Sequence, residues 1–461
     1  MFDTHDISGG YPMTSAYLET AQPLMSPSAI DLAMVVAGKM PPRRGRTFRL
    51  AELGCGRGFT LLALAATHRE AQFTGYDFNP EHIALARRFA EEAGLSNITF
   101  HEASFADLAG TPPTAHFDYI TLHGIWTWVS PENRQRIVEI LDRWLAPGGA
   151  VYVSYNAAAG WGKAAPIRAI FNAIPRGGPA NPFEAARAAV DAWLERFGDG
   201  EARACWDRLS RLPDRYLTHE LGARHGTALW PGDVAEALAA ARLDFVSPAD
   251  ILERFDRLRF EGEGLAFVRR AAREGWGETA RDLASHRTFR TDIFARGAPS
   301  LTARQVDARL GALMVEPWPP HLAIERGPDL AAGAALAPEV ERKAADLLAR
   351  GAQTIGEFAA AMDLPGRQGG QTALILLARG DLRVVRSPDD PDADPAHIAG
   401  MQRALAERYR EGVAVPAAAS PRLGAAIPLA PEDLAGLFEG SADPGSEIAQ
   451  GLARLGLEPG A

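Results

Sequence analysis

The sequence predicts an α/β fold: a mainly parallel sheet covered by helices, carrying a helical insertion and followed by a mainly α region of winged-helix order. Three observations predict it. From residue 48 to about 156, short apolar runs alternate with helical patterns, which is how a parallel sheet with crossover helices reads. The first run passes through Glu52 into three alternating glycines, Gly54, Gly56 and Gly58, and then into an apolar helix start. Asp77 closes the second run nineteen positions after Gly58.

Taken in order, strands are expected at 48–53, 72–76, 98–101, 119–122 and 150–154, with helices at 60–67, 80–93 and 131–145 between them. Asn79-Pro80 supplies an N-cap and a first-turn proline for the second helix. Pro147-Gly148-Gly149 is expected to end the third. Residues 161–227 read as a helical insertion, with 183–197 its clearest amphipathic run. A helix at 231–241 and strands at 243–246 and 288–295 then complete the sheet as an antiparallel pair, so that 1–297 forms one domain split around the insertion. Residues 298–334 read as a linker with a short helix at 303–310. Helices at 338–350, 355–362 and 371–378 and a strand at 381–386 give 335–390 the winged-helix order. The remainder, 391–461, is rich in Asp, Pro, Ala and Gly, with one good helix at 399–410, and is expected to be loosely packed.

Composition narrows the class of function. With 461 residues, 47% hydrophobic and 23% charged, the chain has ample apolar side chains for two or three domains. A net charge of −10 argues against a broad nucleic-acid surface, which needs clustered Lys and Arg. No apolar run approaches a membrane span, and the amino terminus is acidic and polar, so a cytoplasmic location without a membrane partner is expected. The two cysteines, Cys55 and Cys205, are too few for a zinc site, and Cys55 lies within the glycine loop; no metal is expected.

The segment Leu50-Ala51-Glu52-Leu53-Gly54-Cys55-Gly56-Arg57-Gly58-Phe59 is suited to holding a nucleoside against the main chain. A dinucleotide fingerprint would put its third glycine at position 59, which is Phe, so a diphosphate-free ligand fits better and an NAD enzyme ranks behind. The segment resembles motif I of the class I S-adenosylmethionine (SAM)-dependent methyltransferases. That resemblance implies a Rossmann-like seven-stranded sheet, with SAM as cofactor and S-adenosylhomocysteine as product. Asp77, followed by Phe78, is positioned to accept the ribose hydroxyls, its alternative being a helix N-terminal acid. Glu52 would orient the loop amides or reach the cofactor amino group. Many methyltransferases of this class carry an acid after the third strand to accept the adenine amino group; here Ser104 stands there, followed by Phe105, which departs from the pattern and leaves a neutral hydrogen bond.

His123-Gly124-Ile125-Trp126-Thr127-Trp128 after the fourth strand and Ser154-Tyr155-Asn156 after the fifth fall at the carboxyl edge of the sheet, where open α/β folds bind ligands. Tyr155 and Asn156 are the expected catalytic residues, joined by His123 as an acid or base. Tyr11 and Tyr17 in the amino-terminal segment, with Trp126 and Trp161, are expected to line the substrate side; Trp126 and Trp128 serve equally well as core.

Together with Val153–Trp161 and His286-Arg287-Thr288-Phe289-Arg290-Thr291-Asp292-Ile293-Phe294, these motifs look like the bacterial methyltransferases with a methyltransferase regulatory domain. That subgroup is similar to rickettsial protein lysine methyltransferases. The resemblance implies a protein lysine as acceptor, and C-terminal domains that hold the substrate chain or a second subunit, as a homodimer. Small-molecule N- or O-methylation stays open, as does a catalytically silent SAM sensor using the winged-helix-like region.

Overall fold

The computed structural model describes residues 21–42, 45–113, 115–174, 181–318, 330–331, 334–415, 417–440 and 446–457. Tyr11 and Tyr17 lie outside the described residues.

Seven strands form the central sheet: β1 (Arg49–Leu53), β2 (Gln72–Asp77), β3 (Ile98–Glu102), β4 (Phe117–Leu122), β5 (Leu145–Asn156), β6 (Asp244–Pro248) and β7 (Phe289–Ala295). Their order is β3-β2-β1-β4-β5-β7-β6. The pairs from β3 through to β5 are parallel, and β7 runs antiparallel to both β5 and β6. This is the Rossmann-like methyltransferase sheet. The order reverses between β1 and β4, so the glycine loop after β1 opens at the crevice where such sheets bind ligands.

Alternation along the strands sends Leu50, Phe73, Tyr119 and Tyr152 to one face, under the helices Pro27–Val36, Phe59–Thr67 and Pro80–Glu92. Ala51, Leu53, Ile120, Val151 and Val153 go to the other, under Pro131–Trp144 and Pro231–Ala239. Asn79 caps its helix as expected, its side chain accepting from the Glu81 and His82 amides at 3.0 and 3.4 Å. The role expected of Pro147-Gly148-Gly149 differs. The helix after Ser130 ends at Trp144, and Pro147-Gly148-Gly149 lies in the lead-in to β5, where a register shift opposite Phe117–Tyr119 absorbs it.

The helices Ala158–Trp161, Ala165–Ala173, Pro182–Phe197, Gly200–Leu209 and Asp214–Gly222 bury a core of their own around Ile167, Val190, Leu194 and Trp206. Downstream, the helices Pro338–Leu348, Ile355–Met362 and Gln368–Arg379 are followed by β10 (Leu382–Val385), in the expected order. The sheet they meet differs from a winged-helix wing. β10 pairs with β8 (Met314–Pro317), which also pairs with β9 (Gln353–Thr354), so the middle strand comes from the presumed linker instead of a downstream hairpin.

The C-terminal segment, expected to be loosely packed, is built into the core. Strands β11 (Ala417–Ser420) and β12 (Ala425–Pro428) form a hairpin that packs on the helix Phe59–Thr67. All nine residues of that helix are buried. Its sequence is apolar on every side, the mark of a helix covered all round. Alanine-rich strands, which read as low complexity, suit this role because small side chains let the hairpin lie close. The helix Ala399–Arg410 crosses Pro80–Glu92 with similar intimacy: a Cβ on Gly400 would overlap the Ala93 carbonyl oxygen, and the Arg408 guanidinium sits 4.1 Å from the centre of the Phe89 ring.

Candidate active site

The glycine loop owes its shape to backbone torsions. Gly54, Gly56 and Gly58 have φ of +74°, +54° and +70°, a region that L side chains rarely adopt. Side chains would also collide there: a Cβ on Gly54 would overlap Ile125, and one on Gly58 would overlap the Phe100 ring. The loop is tied to the end of β2. The Gly54 and Cys55 amides donate to the Tyr76 carbonyl at 2.7 and 3.0 Å, and the Gly56 amide donates to Asp77 Oδ2 at 2.8 Å. Asp77 Oδ1 accepts from the Asn79 amide at 2.9 Å. Each carboxylate oxygen keeps a further lone pair for a ligand hydroxyl. Cys55 is buried, and burial pushes its thiol well up, so it is an inert part of the loop.

Glu52 stands one residue before the end of β1, between Gly75 of β2 and Thr121 of β4. Only 6% of it is exposed, and among the described residues its Oε2 has no hydrogen-bond partner. Burial, reinforced by the Asp77 charge, pushes its carboxyl up to about 8. An orphaned carboxyl oxygen beside the glycine loop is costly unless a ligand donor meets it. These acceptors fit SAM: Asp77 would take the ribose hydroxyls and Glu52 the ammonium.

His123 continues β4. Its Nδ1 lies 3.1 Å from the Tyr152 hydroxyl, its ring stacks on Tyr152 and meets Phe289 edge-on at 5.7 Å. Burial pulls the imidazole down to about 4, so the ring is neutral at physiological pH and holds no proton as an acid. The next residue, Gly124, donates its amide to Ser154 Oγ at 2.8 Å, which joins the ends of β4 and β5.

Other expected residues have different surroundings. Tyr155 does not face the crevice. In β5 it alternates with Ser154, shares the side of Val151 and Val153, and is 1% exposed under the covering helices. Its hydroxyl donates to Asp292 Oδ2 at 2.6 Å. Trp126 is likewise core, at 1% exposure, because the chain turns inward after Ile125. Asn156 is buried, and its Nδ2 donates to Glu220 Oε2 of the helical insertion at 3.0 Å. Its backbone is used too, the amide donating to Thr127 Oγ1 and the carbonyl accepting from Leu229. Ser104 caps the helix Phe105–Gly110 in a reciprocal box with Asp107, its hydroxyl donating to Asp107 Oδ2 at 2.6 Å. That proton is therefore engaged away from any adenine. Phe105 and Phe78 are half-buried, Phe105 against the core of the second sheet face. Trp161 is half-buried and shares the Arg168 guanidinium with Trp128, at 5.5 and 5.8 Å from the ring centres. Arg168 also donates to the Glu220 and Gly226 carbonyls, which fixes the insertion beside the strand ends.

Sequence reasoning missed two features. Tyr152 and Phe289, which enclose His123, went unnoticed, although Tyr152 follows from alternation two positions before Ser154. The second is a buried ionic network: Arg290, fully buried, donates to Asp282 at 2.6 Å, to Asp292 at 2.8 Å and to Glu278 at 2.7 Å, while Arg287 reaches Asp282 at 3.1 Å. Its trace in the sequence is Arg290 and Asp292 two apart on one strand face. Among the described residues no group of three His, Cys, Asp or Glu could hold a metal ion, and no helix is long and apolar enough to cross a membrane.

Residues 50–149 match a family described as a methyltransferase domain, and residues 213–296 one described as a predicted methyltransferase regulatory domain. Uncharacterized protein sll1526 of Synechocystis sp. is 30% identical over 359 residues, covering 76% of this chain and 71% of that protein. Uncharacterized protein RP028 of Rickettsia prowazekii is 34% identical over 122 residues, 26% of this chain and 48% of that protein. In fold, the structure of PKMT2 from Rickettsia typhi in complex with AdoHcy matches with a TM-score of 0.68 at 19% identity, over 95% of this chain and 91% of that one. The chain therefore belongs to the SAM-dependent methyltransferases that carry a methyltransferase regulatory domain, the family it shares with sll1526.

Proposed function

We propose that this methyltransferase acts on an amine, and that the amine is the side chain of a protein lysine. The observation that carries the reading is the wall around His123. Phe289, 41% exposed, stands edge-on to a neutral imidazole stacked on Tyr152, which gives an alkylammonium chain an apolar, aromatic approach. The likeness of fold to PKMT2 supports the same choice. SAM, when bound, supplies a methyl group already activated by its sulfonium. The protein then has to hold the acceptor in line and keep water out. Glu52 and Asp77 orient the cofactor by its ammonium and ribose ends. The ring of His123, neutral above about pH 4, does not compete for charge with a cationic donor. An acceptor ammonium passing along the exposed face of Phe289 beside His123 is desolvated, and desolvation favours the neutral, nucleophilic amine.

The rival sensor reading needs an exposed recognition helix. The helix Gln368–Arg379 instead buries Thr372, Ala373, Leu376 and Leu377 and packs towards Ile251–Arg254. The test is to incubate the purified protein with methyl-labelled SAM and a lysate of its own host. Label in protein, recovered as methyllysine after acid hydrolysis, supports the proposal; label confined to small molecules overturns it.

A further inference from the structure

A cavity of about 900 Å³ lies where the sheet domain meets the C-terminal elements. Its walls are the turn Pro23–Met25, the chain after β6, the end of the helix Gln368–Arg379 with β10, and the β11–β12 hairpin. The lining is mainly apolar, with Leu252, Trp318, Leu377 and Ile427 among its side chains. The volume is that of a small-molecule site.

One cation in this wall is unmatched. Arg383 points its guanidinium over the Trp318 ring, 5.1 Å from the ring centre, and among the described residues it has no hydrogen-bond acceptor and no carboxylate at ion-pairing distance. Its neighbours are all matched. Arg379 pairs with Glu341 at 2.9 Å and Asp381 at 2.7 Å, Arg422 with Glu316 at 3.1 Å, and Arg386 donates to the carbonyls of Asp392 and Pro421. Asp250 is within electrostatic reach of Arg383, but its Oδ1 caps the turn at Leu252. Burial pulls the Arg383 guanidinium down and pushes the Asp250 carboxyl up; Asp250 and Asp381 offset the pull on Arg383 through their charge, without a hydrogen bond or ion pair to the guanidinium among the described residues. A guanidinium stacked on an aromatic face and bare of acceptors is arranged to take a planar anion in bidentate fashion.

We propose that this cavity is a binding site for a small amphipathic anion, its carboxylate or phosphate held by Arg383 and its apolar body lying along Leu252, Leu377 and Ile427. The site is separate from the glycine loop, although its wall touches the same helix: the Gln22 amide donates to Thr60 Oγ1 at 3.3 Å.

Isothermal titration of the full chain with decanoate, decyl phosphate, decanol and decylamine tests this. The proposal expects saturable binding of at least one of the two anions, at least tenfold tighter than decanol or decylamine. The carboxylate and phosphate arms identify which head group is preferred. Arg383→Gln should weaken anion binding at least tenfold while leaving decanol unchanged, and Arg383→Lys should restore part of the loss. Circular dichroism melting checks that each variant is folded, and the head-group series on the unaltered protein needs no variant. Equal binding of decanol and the anions, no binding of either anion, or a folded Arg383→Gln variant with undiminished affinity would overturn it.

Discussion

The Gly56 amide donates to Asp77 Oδ2 at 2.8 Å, so the carboxylate proposed to take the ribose also fixes the glycine loop. Two losses therefore coincide in Asp77→Ala. Loss of charged hydrogen bonds of about 1.5–3 kcal/mol each predicts at least a tenfold rise in the S-adenosylhomocysteine dissociation constant by calorimetry. Asp77→Asn keeps one acceptor and should fall between the variant and the unaltered protein.

Glu52 predicts a pH dependence with a definite sign. Its folded carboxyl, near 8, lies above the ordinary value of 4.5, so between those values the folded protein binds more protons than the unfolded chain. Stability of the ligand-free protein should fall as pH rises through that window and level off above it. Cofactor affinity should run the other way, because an ammonium favours the ionised carboxylate: the association constant should increase by up to about tenfold per pH unit approaching pH 8. Glu52→Gln should flatten both curves, as thermal melts and calorimetry across pH 5–9 would read.

Tyr155 is predicted to matter for stability and little for chemistry. Tyr155→Phe removes one hydrogen bond to Asp292, which keeps its Arg290 partner, so a loss of about 1 kcal/mol and a fall in Tm of a few degrees are expected with kcat within about twofold. Arg290→Met should be far worse, costing about 3–5 kcal/mol because three carboxylates lose a buried partner.

Glu220 couples the insertion to the strand end through Asn156 Nδ2 at 3.0 Å. Glu220→Ala should raise the KM for the acceptor by about three- to tenfold, in keeping with misplaced positioning elements. S-adenosylhomocysteine affinity should not change, and steady-state kinetics with a fixed acceptor protein separates the two.

His123, neutral above about pH 4, should leave no histidine inflection in kcat between pH 5.5 and 7.5. An inflection in that range that disappears in His123→Ala would assign the residue the proton-handling role that its burial argues against.

The sheet and the cofactor loop were legible because their signals are local. Glycines at fixed spacing, a strand-end acid and an Asn-Pro helix start each act within a few residues. The substrate side was legible only in part, since a strand end has two faces and alternation alone does not say which is covered. Tyr155 and Trp126 went to the core for that reason, while Tyr152, itself buried, backs the His123 ring and the exposed Phe289 meets that ring edge-on. Ser104 shows a third limit: Ser with Asp three residues on serves as a helix cap as well as a ligand contact, and the cap uses the hydroxyl. The strand β8 and the alanine hairpin were hidden because each pairs with chain far away or lacks bulk of its own.

The wholly buried helix Phe59–Thr67 sets a schedule for synthesis. Part of its covering, the hairpin that starts at Ala417, lies 350 residues downstream of Thr67. At roughly 5–20 residues per second, the helix waits about 18–70 s on the ribosome with an apolar flank in water. The helix that follows the glycine loop is therefore fully covered only after the hairpin at 417–428 has been made.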